Sequence, residues 1–219
     1  MKRYLTILLI LALCLSLCAC GRSRRSTYVS RYGESRYNTD HITDYGASGS
    51  GSSRGSGSYG GSGTGTGTGS APVTSTGNSN ALSRARSYLR YAAFSYDGLV
   101  DQLEFEGFSE SEAKYAADHC GADWDEQALL KALSYLEFSA FSYEGLVDQL
   151  EFEGFTPAQA KYGADHCGAD WNQEAVEKAQ SYLKYSSGWT RSKLIDQLEF
   201  EGFTYSQAAY GVDHCGHSW

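Results

Sequence analysis

One string constrains this chain more than any other. LVDQLEFEGF occupies residues 99–108, recurs letter for letter at 146–155 and returns as LIDQLEFEGF at 194–203. The copies extend beyond it: Trp124, Trp171 and Trp219 are spaced 47 and 48 residues apart, and Cys120, Cys167 and Cys215 keep the same spacing. A period of this size marks a repeat architecture, in which each unit is one supersecondary element that buries its apolar face partly against its neighbours. The third copy is longer by one residue, because AAFSYDGL and SAFSYEGL become SSGWTRSKL. Gly188 is the insertion, and Trp189 stands where Phe94 and Phe141 stand in the other copies. Insertions are best tolerated in connections, so this stretch joins two helices.

The N-terminal third reads differently. MKRYLTILLILALCLSLCAC pairs a basic start, Lys2 and Arg3, with an unbroken apolar run followed by small residues. That is the pattern of a secretory signal, and the run is too short and wrongly flanked for a stable spanning helix. Leu17-Cys18-Ala19-Cys20-Gly21 resembles a bacterial lipobox, which implies removal of residues 1–19 and lipidation of Cys20. Several acyl chains on one residue hold a protein stably at a membrane, whereas a single chain holds only marginally. Residues 20–79 are Arg/Tyr/Ser-rich and then run GSGSYGGSGTGTGTGS, with almost nothing to bury, so a disordered linker is expected. Such a linker spans roughly 40 Å root-mean-square and reaches about 200 Å when extended. It would carry the repeats away from a membrane and into a cell wall.

Within each repeat the signals predict three helices. The first, over about residues 81–93, places Leu82, Ala85, Leu89 and Ala92 on one face. The second, over about 96–106, ends at Gly107, a residue suited to the left-handed turn after a helix. The third opens with a capping box in every copy: Ser109 with Glu112, Thr156 with Gln159 beside Pro157, and Thr204 with Gln207. Its inner face is Ala113, Ala116, Ala117 and Cys120, and Gly121 ends it. Asp123 with Glu126, and Asp170 with Gln173, have the spacing of boxes for the next first helix.

Leu99, Val100 and Leu103 share the inward face of the second helix, Asp101 and Glu104 lie outside it, and Phe108 plugs the gap between second and third helices. Phe105 falls well away from Leu99 and Leu103; it either packs against the first helix or an adjacent repeat, or stands exposed between Glu104 and Glu106. No Trp precedes the first unit, yet the chain runs on to Trp219, so each repeat closes with its own Trp. The predicted fold is all-α: three tandem three-helix, helix-turn-helix-like repeats over residues 80–124, 125–171 and 172–219, with no sheet.

Several chemistries are disfavoured. Asp118-His119-Cys120, Asp165-His166-Cys167 and Asp213-His214-Cys215 carry zinc-ligand types, but adjacent helical positions point about 100° apart and cannot readily grip one ion. One Cys per repeat gives three, an odd count for a disulfide network, and buried free thiols are expected. Glu104 and Glu106, two apart on a helix, do not face each other as an acid–base pair would. H-E-x-x-H and a phosphate-binding glycine loop between strand and helix are missing, so neither an enzyme nor a bound cofactor is expected. A helix-turn-helix shape raises DNA binding, but residues 81–219 hold 10 Lys plus Arg against 23 Asp plus Glu, a net −13. Phosphate contacts need basic neutralisation, so nucleic acid is disfavoured.

With the lipobox, the spacer and the string DQLEFEGF…A.YAADHCGADW together, the sequence resembles the Ltp family of host cell surface-exposed lipoproteins. Cys120–Trp124 and Cys167–Trp171 match the family's repeat ending; Cys215-Gly216-His217-Ser218-Trp219 departs from it. The resemblance covers about 140 residues. It implies a Gram-positive setting, a lipid-anchored place on the cell exterior and superinfection exclusion, with the phage tape measure protein as partner. The acidic repeats agree with a basic partner drawn by long-range steering, engaged several times by three closely joined units. The expected partner-binding residues are Asp101, Glu104 and Glu106, repeated as Asp148, Glu151 and Glu153 and as Asp196, Glu199 and Glu201. An adhesion or wall-binding module using exposed Tyr and Trp, and a spacer without a ligand, stand as alternatives.

Overall fold

The computed structural model describes residues 75–219. The first repeat contains α1 (Ser75–Tyr91), α2 (Tyr96–Phe105) and α3 (Glu110–His119). The second contains α4 (Trp124–Phe138), α5 (Tyr143–Phe152) and α6 (Pro157–His166), and the third α7 (Trp171–Tyr185), α8 (Arg191–Phe200) and α9 (Tyr205–His214). There is no strand among the described residues, so the fold is three tandem three-helix units as the period predicted. Helix α1 begins at Ser75 rather than near Ala81 and takes in the end of the stretch assigned to linker. Once Ala81 and Ala85 are docked, each added residue costs little, and a polar segment without an apolar pattern can extend the helix. The signal sequence, Cys20 and the rest of the linker lie outside the described residues.

The predicted caps explain where the short helices start. At α3, α6 and α9 the Ser109, Thr156 and Thr204 hydroxyls accept from the amide three residues on, while Glu112, Gln159 and Gln207 reach back to the capping amide. Two orphan donors per helix are thereby satisfied. Asp123 and Asp170 cap α4 and α7 through carboxylates that accept from the amides two and three on. Gln173 does not close a box there; it donates to Glu177 instead. The second helices stop at Gly107, Gly154 and Gly202, whose φ values of 98°, 88° and 89° lie in the left-handed region. The following Phe amide then bonds five residues back, as Phe108 N does to the Leu103 carbonyl at 3.2 Å.

Each repeat has a core of its own. Its first and third helices pack closely through small residues, Ala81 and Ala85 against Ala113, Ala116 and Ala117 in the first unit. The approach is closer still in the other two, where a Cβ on Gly163 would lie 2.8 Å from the Ala128 carbonyl oxygen and one on Gly211 would lie 2.5 Å from the Ala175 carbonyl carbon. Leucine pairs of the second helix, such as Leu146 and Leu150, fill the remaining space without exposure. Phe155 and Phe203 are buried behind the Gly turn, and Phe108 is half-buried there. Trp124 and Trp171 each cover the core of the preceding repeat and meet Tyr96 and Tyr143 edge-on at 5.5 and 5.6 Å. Trp219 closes the third unit more loosely, donating to the Val212 carbonyl at 3.3 Å.

Neighbouring repeats keep separate cores of buried apolar residues, whereas each was expected to bury its apolar face partly against its neighbours. They meet at a narrow, largely polar joint. The Ser95 hydroxyl of repeat 1 caps its own helix, accepting from Gly98 N at 2.9 Å, and donates to the Glu153 carbonyl of repeat 2 at 2.6 Å. Ser142 does the same one unit later, accepting from Gly145 N at 2.9 Å and donating to the Glu201 carbonyl at 2.5 Å. Beside each serine a main-chain amide finds a side-chain oxygen of the next unit, Phe94 N on Gln127 and Phe141 N on Glu174. The two joints thus share the serine and amide contacts, and the second adds a bond from Lys178 Nζ to the Ala140 carbonyl at 3.2 Å.

Candidate functional site

The second helix presents the same outward patch in all three units. Leu99, Val100 and Leu103 turn inward on α2, and Gln102 is tied to the α1 Tyr88 hydroxyl at 3.1 Å. That leaves Asp101, Glu104 and Phe105 at three- and four-residue steps, which makes them neighbours on the remaining surface. Phe105, Phe152 and Phe200 are 68%, 63% and 87% exposed. The packing alternative for Phe105 is therefore overturned, and a phenyl ring stands beside two carboxylates on every repeat. Asp101, Asp148, Glu151, Asp196 and Glu199 are exposed and Glu104 half-exposed. None of the six forms an ion pair with another described residue.

The third glutamate of each motif is occupied differently. Glu106, Glu153 and Glu201 follow the helix as its C-cap, which swings the side chain back over the first helix. Arg84 grips Glu106 with two bonds, Nε at 2.5 Å and an NH2 nitrogen at 2.9 Å, while the Tyr88 hydroxyl donates to the same carboxylate. The Arg84 hydrogen bond is the main reason the Glu106 carboxyl is held below the usual range. Lys131 with Tyr135 holds Glu153, and Lys178 with Tyr182 holds Glu201, at Lys–Glu distances of 3.0 and 2.7 Å. These three side chains are only 19–22% exposed, so they lock the second helix onto the first and do not belong to the outward patch.

The Asp-His-Cys strings are structural. The Tyr96 and Tyr143 hydroxyls donate to Asp118 and Asp165 at 2.9 and 2.8 Å, and Arg191 makes the equivalent contact with Asp213 through two bonds. His119, His166 and His214 each stack on the Tyr four residues before, with Nδ1 2.8 Å from that residue's carbonyl oxygen. Each Cys thiol donates to the carbonyl three residues earlier. All three thiols are free, and burial pushes the Cys167 thiol upward. No group of three potential metal ligands occurs among the described residues.

The pattern for host cell surface-exposed lipoproteins matches residues 76–120, 123–167 and 170–215, one match per repeat. The chain belongs to that family. Neither comparison with curated proteins nor comparison with solved structures yields a match. Among the described residues no helix is long and apolar enough to cross a membrane.

Sequence reasoning missed a second aromatic series in this lipoprotein. Tyr91, Phe138 and Tyr185, the last residues of α1, α4 and α7, are 83%, 75% and 78% exposed. The signal was available, since all three sit at the repeat spacing, but their identity changes between Tyr and Phe and they fall beyond the invariant string.

Proposed function

We propose that this surface lipoprotein is anchored through acyl chains on Cys20 and uses the patches of α2, α5 and α8 to capture a basic, amphipathic segment of a protein crossing the envelope. The observation that carries this reading is the exposed phenyl beside two carboxylates that form no ion pair with another described residue, present in every repeat: Phe105 with Asp101 and Glu104, Phe152 with Asp148 and Glu151, and Phe200 with Asp196 and Glu199. A large exposed apolar side chain on every unit lowers solubility without stabilising the core, and repetition of that cost points to use as a contact. The carboxylates would steer a basic partner, the phenyls would hold it, and three patches would act together by avidity. Family resemblance supplies the partner class: a phage tape measure protein, whose capture outside the membrane would block DNA injection.

The test is to express the lipidated chain carrying Phe105→Ser, Phe152→Ser and Phe200→Ser and to measure phage DNA entry. These side chains lie outside the core, so helicity should persist while protection disappears. Undiminished protection by the folded, anchored variant would remove the patches from the mechanism. Binding to the basic segment should weaken as salt rises. Salt-insensitive pull-down with purified peptidoglycan would instead favour the wall-binding reading, through the Tyr91 and Tyr185 series. Anchoring is checked separately: Cys20→Ser should abolish fatty-acid labelling and release the protein from the membrane fraction.

A further inference from the structure

The joint between repeats has two halves. One half is the start of a second helix, Ser-x-x-Gly: Ser95 with Gly98, or Ser142 with Gly145. The other is the turn ending the second helix of the following repeat, Glu153-Gly154 or Glu201-Gly202. Glycine is needed on both sides. A Cβ on Gly154 would lie 2.9 Å from the Ser95 hydroxyl and 3.3 Å from Asp97 Cβ, and one on Gly202 would lie 2.8 Å from Ser142 and 3.0 Å from Glu144 Cβ. A Cβ on Gly145 would lie 2.9 Å from its own capping hydroxyl and 3.3 Å from the incoming Glu201 carbonyl.

Repeat 1 keeps its turn intact and unmet, since Gly107 has the same left-handed backbone and nothing of the described chain within 4 Å of a Cβ there. Repeat 3 has lost its half. Thr190 replaces the serine and Lys193 replaces the glycine, and the capping contact lengthens from 2.9 Å in repeats 1 and 2 to 3.4 Å. If repeat 3 kept Ser-x-x-Gly, its helix start would fit the Gly107 turn of a second molecule. That contact is head-to-tail and does not close on itself, so it would propagate into filaments. Copies displayed together on one cell surface meet at raised effective concentration, where even a weak contact of this kind accumulates.

We propose that Thr190 and Lys193 are a stop that keeps the start of α8 in one molecule off the open Glu106–Gly107 turn of another. A lysine side chain at the glycine position has to pass through the space the neighbouring carbonyl occupies, and the threonine hydroxyl no longer sits tight against the helix start.

The three cores described are built from residues within 75–219, and the chain from Gly21 onward, which contains all of them, serves as test material free of signal and lipid. By sedimentation equilibrium the parent should be monomeric, and the Thr190→Ser, Lys193→Gly double variant should associate at a concentration at least about tenfold lower than any association of the parent. Adding Gly107→Ala to the double variant should return it to monomer. A double variant as monomeric as the parent overturns the proposal, as does association that survives Gly107→Ala, or a parent that already associates through Gly107. Should the double variant fail to fold, the converse change decides: Gly145→Lys should open the joint between repeats 2 and 3 and enlarge the radius of gyration in small-angle scattering. An unchanged scattering curve overturns the proposal.

Discussion

Repeats 2 and 3 share one frame and differ where their surroundings differ. Both keep the leucines of the second helix, the Gly turn, the following Phe and the glycine at the helix crossing. They part at the start of the second helix, where Phe141-Ser142-Tyr143-Glu144-Gly145 becomes Trp189-Thr190-Arg191-Ser192-Lys193. Repeat 2 presses that segment against a neighbour, whereas Thr190 and Lys193 of repeat 3 are exposed. The contrast separates two kinds of joint residue: the Glu-Gly turn, which also ends the second helix, recurs in every unit, whereas the Ser-x-x-Gly helix start is replaced in repeat 3. Tyr143 and Arg191 show that function and residue type are separable, since both hold the aspartate of the third helix, one by a phenol and one by a two-bond guanidinium contact.

The largest test of this contrast is at the closing tryptophans. Trp171 meets Tyr143 and the second core, so Trp171→Ala should cost about 3 kcal/mol, the low end for aromatic truncation. Trp219 is 45% exposed and meets His217 edge-on at 4.7 Å rather than a second-helix tyrosine, so Trp219→Ala should cost about 1 kcal/mol. Chemical denaturation of each variant gives both values, and equal losses would break the distinction between an inner and a terminal unit.

Next comes the helix crossing. Alanine favours a helix over glycine by about 1 kcal/mol, whereas overpacking a close backbone contact costs about 1–3 kcal/mol. The Gly211 site is the tighter, so Gly211→Ala should destabilise by about 2 kcal/mol and Gly163→Ala by less, with the crossing strain prevailing over propensity. Repeat 1 already carries Ala116 at this position without exposure. A stabilised Gly211→Ala protein would show that the third crossing can open as the first does.

A smaller effect is expected at alkaline pH. Burial first, and then the Asp165 carboxylate, push the Tyr143 phenol up to about 12. A folded value above the unfolded one of about 10 means that this stabilisation is complete below pH 10 and is lost as pH rises through 12, by about 1 kcal/mol after allowance for screening. Tyr143→Arg, which imports the repeat 3 solution, should remove that window because a guanidinium keeps its charge there. Smallest is the acid limb: Arg191 hydrogen bonding holds Asp213 below the usual carboxylate value, so its contribution is present above that value and fades as pH falls through the folded one. Added salt should shrink the acid effect and leave the phenol effect nearly unchanged.

Much of the architecture was readable in advance. Capping boxes, glycine stops and three-to-four-residue apolar spacing are local devices, and they predicted three helices per unit, the plugging Phe and the ownership of each tryptophan. The outward patch was half legible. Asp101 and Glu104 follow from helical periodicity, but Glu106 looks equivalent to Glu104 in the string and differs only because the helix ends between them. Capping redirects its side chain onto Arg84 and Tyr88, partners some twenty residues earlier.

By itself, then, the sequence determined what depends on neighbours along the chain: the period, the helices and their ends, the face that must be buried, and the acidic character of the rest. Tertiary structure alone decided what depends on residues far apart in sequence. It exposed Phe105, Phe152 and Phe200, drew Glu106, Glu153 and Glu201 inward, and kept the three cores separate. It also gave Ser95 and Ser142 a second role, because a hydroxyl that caps its own helix still has a proton to donate. Only the approach of the next repeat's carbonyl, 58 or 59 residues away, determines where that proton goes.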